Sequence, residues 1–307
     1  MNQKDLQHTS SKQQNKLPIS VNICTYNEEK DIADCLDKVF ANNPAEVIVI
    51  DGGSTDRTVE IAKSKGAKVI ISHKKGLSTQ RQIGIDNSTQ PYIAIIDGDD
   101  HIEPDFLSTL LKEMQEYGYD ALLGREIAYE PKTYWEKAME TTNYGITYTD
   151  KPVDTNMVGR PALYRAEAIK WCGFDSCFDG VGDEDTDLSI RMEMAGFRQG
   201  IGTGLTKRKH TADFKGIVKK FIKYGRGDAR IIYKYPHKKW AIIFHLAIRY
   251  PFIRGFQAIL RGDGVYLPFY FMYGWIRFFT MIPEYIKLKI KNVKCGEYPK
   301  KIVKGNK

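Results

Sequence analysis

Ile93-Ala94-Ile95-Ile96-Asp97-Gly98-Asp99-Asp100 is the stretch whose reading decides the fold. Tyr92 to Ile96 is an unbroken non-polar run, which suits a strand covered on both faces of a sheet. It stops at three carboxylates, Asp97, Asp99 and Asp100, with only Gly98 among them. In open α/β sheets, ligands bind beyond the carboxyl ends of strands. Three carboxylates placed there repel one another unless a proton or a cation offsets their charge. Oxygen-only ligands suit Mg²⁺ or Mn²⁺, and those ions in turn suit a diphosphate. The same residues would also serve as an acidic turn capping a helix that begins near Pro104, so this stretch alone leaves two readings open.

The flanking sequence repeats the pattern. Residues 19–24 alternate as a strand and run into Thr25-Tyr26-Asn27-Glu28-Glu29, followed by helical spacing of Ile32, Leu36, Val39 and Phe40. Glu46 to Ile50 is an apolar strand ending at Asp51-Gly52-Gly53-Ser54-Thr55-Asp56. Ser54 or Asp56 there can cap a helix over 57–65. A further strand is expected at 68–72 and a short helix at 80–87. Strands alternating with helices predict a largely parallel sheet with helices on both faces. Each strand then delivers a polar cluster to the same edge.

In that order and spacing, these motifs resemble family 2 glycosyltransferases. The motifs are Thr25 to Glu29, Asp51 to Asp56, Lys75-Gly76 with Arg81, Asp97-Gly98-Asp99, and Gly182-Asp183-Glu184-Asp185-Thr186-Asp187-Leu188 with Arg191. The resemblance covers roughly residues 18–210 and implies the GT-A fold, a mixed, mostly parallel sheet flanked by helices. It implies a nucleotide-sugar donor (UDP- or GDP-linked) gripped by Thr25, Asn27, Glu28, Asp51, Arg81, Asp97 and Gly98. It also implies Mg²⁺ or Mn²⁺ on Asp97 and Asp99, joined by His210, with Asp100, Glu184 and Asp187 on the sugar or acceptor side. Asp185 falls where inverting members place the catalytic base. An acceptor hydroxyl must lose its proton as it attacks the anomeric carbon, and like charges in an acid cluster raise a carboxyl pKa. Helix capping explains the same acids without catalysis, and Asp187 stands as the alternative base. Trp171 to Phe178 reads as an acceptor-side loop. A sugar nucleotidyltransferase fits less well, because such enzymes resemble one another in a Gly-rich loop after the first strand, and residues 25–29 hold no glycine. The remaining rival is an inactive family member serving as a membrane-bound subunit.

Charge divides the chain. Residues 1–206 hold 22 Lys/Arg and 33 Asp/Glu, a net of −11, while residues 207–307 hold 24 and 5, a net of +19. The last third also carries 20 of the 36 aromatics. We therefore expect a catalytic domain over 18–206 and a basic, aromatic helical region over 207–307. Phe214 to Lys223 has an apolar face and a lysine face. Gly264 to Pro283 is a 20-residue stretch with one charge, Arg277, broken by Pro268 and Gly274, and so reads as interfacial helix in anionic headgroups. The lysine-rich tail from Lys287 points to the cytoplasmic face of a membrane, with peripheral or monotopic attachment to a surface near a lipid-linked or other glycan acceptor. The long apolar stretches argue against nucleic acid as partner. Residues 1–17 are polar and lack an apolar core, so a disordered leader is expected. Five scattered cysteines without metal-ligand spacing are expected to be reduced thiols, Cys172 and Cys177 among them.

Overall fold

The computed structural model of the protein describes residues 16–143 and 150–296. Their order is β1 Leu17–Thr25, α1 Ile32–Ala41, β2 Pro44–Asp51, α2 Thr58–Ser64, β3 Lys68–Ile71, α3 Leu77–Asn87, β4 Tyr92–Asp97, β5 Asp100–Ile102 and α4 Phe106–Tyr117. The chain continues through β6 Ala121–Ala128, α5 Tyr134–Glu140, β7 Val153–Asp154, β8 Ala162–Arg165, α6 Ala166–Cys172, α7 Glu184–Ala195 and β9 Gln199–Arg208. Then follow α8 Phe214–Lys234, α9 Lys239–Phe244, a π-helical segment His245–Arg254, α10 Gly255–Leu260 and α11 Leu267–Lys291. The expected leader lies outside the described residues except for its last two, and Leu17 already belongs to β1.

The sheet runs β3-β2-β1-β4-β8-β6-β9-β5, with β7 paired to β9. It is parallel from β3 through β4, and antiparallel pairing enters at β8. The apolar runs that mark β1, β2 and β4 are buried on both faces. Ile19, Val21 and Ile23 of β1 face Leu36 and Val39 of α1 and Leu110 and Met114 of α4. On the opposite face, Ile93 and Ile95 of β4 pack with Ile169 of α6 and with Leu188 and Met192 of α7. Each such fully buried aliphatic side chain contributes ~1.5–3 kcal/mol, which fixes the strand register and hence the position of every strand end. β1, β2 and β4 all end at the same edge, with Thr25 beside Asp51 and Cys24 beside Asp97.

β9 carries the chain past residue 206, the boundary expected from charge, and ends at Arg208 opposite Asp100 of β5. The basic third packs on the rest of the chain through α8, which meets α5, α7 and the loop before α7 and lies along α11. A Cβ on Gly225 would stand 2.5 Å from the Arg277 carbonyl oxygen, so glycine is what permits the two helices to approach so closely. Arg277 lies on the buried face of α11 with Phe269, Tyr270, Gly274 and Met281. It pairs in two-pronged fashion with Asp228 of α8. No helix among the described residues is long and apolar enough to cross a membrane.

The expectation of five reduced thiols is corrected at one pair. Cys177 and Cys295 form a disulfide across 118 residues, while Cys24, Cys35 and Cys172 are free. Sequence spacing could not indicate this bond, because the return of α11 is what brings residue 295 back to the loop before α7.

Candidate active site

Three loop clusters meet at the carboxyl edge of the sheet. Asp51, buried, accepts from the Gly53 and Ser54 amides, each at 2.8 Å, and from the Thr25 hydroxyl at 3.4 Å. Its oxygens thus organise the turn that positions the edge. Asn27 adopts φ 56° and accepts from the Thr55 amide at 2.9 Å, joining the first cluster to the second. Gly98 sits against both: a Cβ there would lie 3.4 Å from Thr25 Cγ2 and 3.5 Å from Glu28 Cγ.

Asp97 is the electrostatic centre. Its Oδ1 accepts from Arg81 at 3.2 Å, and its Oδ2 meets Arg208 at 3.1 Å and the Arg160 side chain. Burial would raise its carboxyl, but Arg160, Arg81 and Arg208 together hold it well below the usual carboxylate range. Its neighbours go the other way. Burial, reinforced by Asp97 and Asp99, pushes Asp100 up to about 7 against the pull of Arg208. Burial and the charge of Asp99 push Glu28 up to about 7 as well.

The second acid group is joined to the first by arginines. Arg81 is fully buried and donates to Glu184 at 2.8 Å as well as to Asp97. Arg160 Nη1 lies 3.6 Å from Asp185 Oδ2 and 3.9 Å from Glu184 Oε1, so this side chain bridges Asp97 to Asp185. Asp185 keeps a quarter of its side chain exposed, and its other oxygen accepts its neighbour Thr186's amide at 2.8 Å.

The structure gives several of the expected site residues definite partners. Arg81, expected to contact the donor, is a buried strut that pairs with Glu184 and Asp97. Asp187 is fully buried and turned away from Asp185. It is held by Arg191 at 2.8 Å, Lys234 at 2.8 Å and the Tyr235 hydroxyl at 2.7 Å. The helix explains why: positions two apart lie about 200° around its axis, so Asp185 and Asp187 cannot face the same cleft. Glu184 is likewise committed to Arg81. His210 Nε2 lies 3.4 Å from Glu140 of α5 and makes no ion pair with Asp97 or Asp99 among the described residues. Asp183 adopts φ 69° just before α7. Burial and the nearby Asp228 raise its carboxyl well above the ordinary range despite Arg277. Sequence reading singled out neither Arg160 nor Arg208 as a site residue. The one usable signal was the Gly159-Arg160-Pro161 triplet just before β8.

The acidic face has the donor chemistry a divalent cation takes, with both Asp97 oxygens met by arginines. Its donors are all oxygen, Asp99 is 39% exposed and only 3.9 Å from one arginine nitrogen, and the buried Asp100 Oδ1 lacks a hydrogen-bond partner. Glu28 and Asp100 are both pushed up first by burial and then by neighbouring carboxylates, a charge that a bound cation would offset.

Residues 20–172 match the family described as Glycosyl transferase family 2, and the chain belongs to that family. It is 34% identical over 113 residues to glycosyltransferase GlyA of Streptococcus pneumoniae, covering 34% of this chain and 16% of that one. It is 36% identical over 105 residues to glycosyltransferase AglJ of Haloferax volcanii, covering 34% of each chain. The matched stretch thus spans a third or less of these relatives. The fold is GT-A. It resembles that of Mycobacterium tuberculosis glucosyl-3-phosphoglycerate synthase, solved with Mn²⁺, UDP and glucosyl-3-phosphoglycerate. The TM-score is 0.51 at 17% identity, over 70% of this chain and 78% of that one.

Proposed function

We propose that this protein transfers a sugar from a nucleotide-sugar donor to an acceptor hydroxyl with inversion at the anomeric carbon. The observation that carries the reading is the arginine-bridged pair of Asp97 and Asp185 at the carboxyl edge of a GT-A sheet. Asp185 is the partly exposed carboxylate of the second cluster and acts as base, taking the acceptor proton as the oxygen attacks. Asp97 and Asp99 would hold a divalent cation, which would supply Lewis-acid stabilisation of the departing nucleoside diphosphate. Arg81 fixes the separation of the two acid groups, and Thr25, Asn27 and Asp51 shape the pocket for base and ribose. The Mn²⁺ and UDP of the mycobacterial synthase are consistent with this donor class.

We further infer that the reaction takes place at an anionic membrane surface, on the cytoplasmic side by the lysine excess of the C-terminal tail. Trp240, Phe244, Phe252, Phe256, Leu260 and Phe279 are exposed on the C-terminal helices. Exposed large apolar groups interspersed with basic ones are the interfacial pattern, and a lipid-linked acceptor would be presented there.

The test is a panel of nucleotide sugars incubated with the full chain and Mn²⁺, reading release of nucleoside diphosphate. Turnover with one or two donors is expected. No release with any of the panel, from protein that melts cooperatively, would overturn the enzymatic reading in favour of an inactive subunit.

A further inference from the structure

α8 lies outside the residues matched to the family, yet it touches the chain on both sides of Asp185. Before Asp185, the loop into α7 rests on a glycine of α8. A Cβ on Gly227 would lie 2.3 Å from Asp183 Oδ2 and 2.5 Å from the Gly182 carbonyl oxygen. A Cβ on Gly182 would in turn lie 2.9 Å from Tyr224 Cδ1, and the Gly182 amide donates to the Lys223 carbonyl at 3.4 Å. After Asp185, the end of the same helix holds Asp187: Lys234 Nζ lies 2.8 Å and the Tyr235 hydroxyl 2.7 Å from its Oδ1. The Asp183 carbonyl accepts the Asp187 amide at 2.9 Å. These contacts therefore grip the two ends of one helical turn, and Asp185 stands on that turn.

Glycine in a helix interior weakens the helix relative to alanine. At Gly227 it permits an approach of helix and loop that any side chain would prevent. We propose that α8 positions the turn that bears Asp185, gripping it through Gly227 at one end and through Tyr235 with Lys234 at the other. This role rests on the reading of Asp185 as base, and Gly227 and Tyr235 act on the reaction only through it. The two grips do different things. Gly227 sets the distance of the turn from α8, because it meets the Gly182 backbone. Tyr235 and Lys234 set its rotation. Asp187 lies about 200° around α7 from Asp185, so holding Asp187 on the far side keeps Asp185 beside Arg160. Ordinary contact begins at 3.4 Å, so Gly227→Ala must drive helix and loop apart by roughly 1 Å, a misplacement that costs on the order of 10²-fold in turnover.

The test compares the full-length wild type, Gly227→Ala, Tyr235→Phe and Gly225→Ala by transfer kinetics, calorimetric titration with UDP and GDP, and amide hydrogen exchange. Gly227→Ala should lower kcat by on the order of 10²-fold. Tyr235→Phe, which removes one hydrogen bond and leaves the ring in place, should lower it several-fold. Both should keep the donor KM and the nucleotide affinity of the wild type, and both should exchange faster over residues 181–188. Gly225→Ala is the control for loosened packing, since its Cβ would meet the Arg277 carbonyl on α11 instead. It should lower the melting temperature and leave kcat unchanged well below that temperature. If Gly227→Ala does not melt cooperatively, Tyr235→Phe decides. Unchanged kcat in the folded variants, a donor KM that rises with the loss, or an equal loss in Gly225→Ala would overturn the proposal. A wild type that turns over no donor would refute the enzymatic reading, and exchange then decides the grip: faster exchange over 181–188 in both variants upholds it, and unchanged exchange overturns it.

Discussion

Arg277→Met should be the most destabilising single change on the C-terminal helices. Arg277 is about nine-tenths buried and gives two parallel 2.8 Å hydrogen bonds to Asp228, which is equally buried, and a third at 2.6 Å to the Tyr273 hydroxyl. Methionine fills much of the same volume, so the loss is chiefly electrostatic: Asp228 becomes a buried charge with Asp183 close by. Breaking a buried pair from one side costs ~3–5 kcal/mol. At roughly 2–4 °C per kcal/mol for a chain of this size, the melting temperature should fall by about 6–20 °C. Replacing both partners, as in Asp228→Leu with Arg277→Met, removes the stranded charge and should return stability to within ~1 kcal/mol of the wild type or above it. Urea denaturation of the four proteins of this cycle gives the coupling directly. A single-variant cost below ~1 kcal/mol, or a double variant as unstable as the two singles added together, would refute the assignment of this pair as a buried, mutually dependent unit.

Asp185→Asn should leave nucleotide and metal binding nearly intact while lowering turnover by ~10² or more; near-normal turnover would remove Asp185 as base. Nucleoside diphosphate binding should weaken in EDTA, and Asp99→Asn should abolish most of that difference because an amide ligates a hard cation poorly; equal affinity with and without EDTA counts against the metal. Asp183 has a folded-state pKa above its unfolded one, so its neutral form stabilises the fold. That contribution is complete below the unfolded pKa and is lost as pH rises through the folded one. The groups facing it are Asp228, Arg277, Asp185 and Glu184. Asp183→Asn should therefore match the wild type below about pH 4, the ordinary aspartate range, and lose less stability as pH rises above it; parallel stability–pH curves would exclude a titrating role. The protein should float with anionic liposomes at low salt and be only partly released by high salt, since screening removes the charge term and leaves aromatic insertion; failure to float at low salt would make the exposed helices a subunit interface.

The sequence by itself determined the strands β1, β2 and β4 and the acidic ends they carry. An uninterrupted apolar run that stops at a carboxylate is a local signal, and burial on both faces leaves little choice of register. The family motifs are local too, which is why Asp51, Asp97 and Asp185 were legible one by one. What tertiary structure decided was which charges meet. Arg81 lies 103 residues from Glu184, and Arg208 lies 111 from Asp97. An arginine's pattern in the chain says nothing about which carboxylate will lie opposite it, because ion pairing depends on which strand ends the topology brings together. The same cause turned Asp187 inward to Lys234 and Tyr235, joined Cys177 to Cys295, and set Gly227 of a helix read only as amphipathic against the loop before Asp185. Periodicity shows which face of an element is apolar; only the packing of one element on another decides what its charged residues touch.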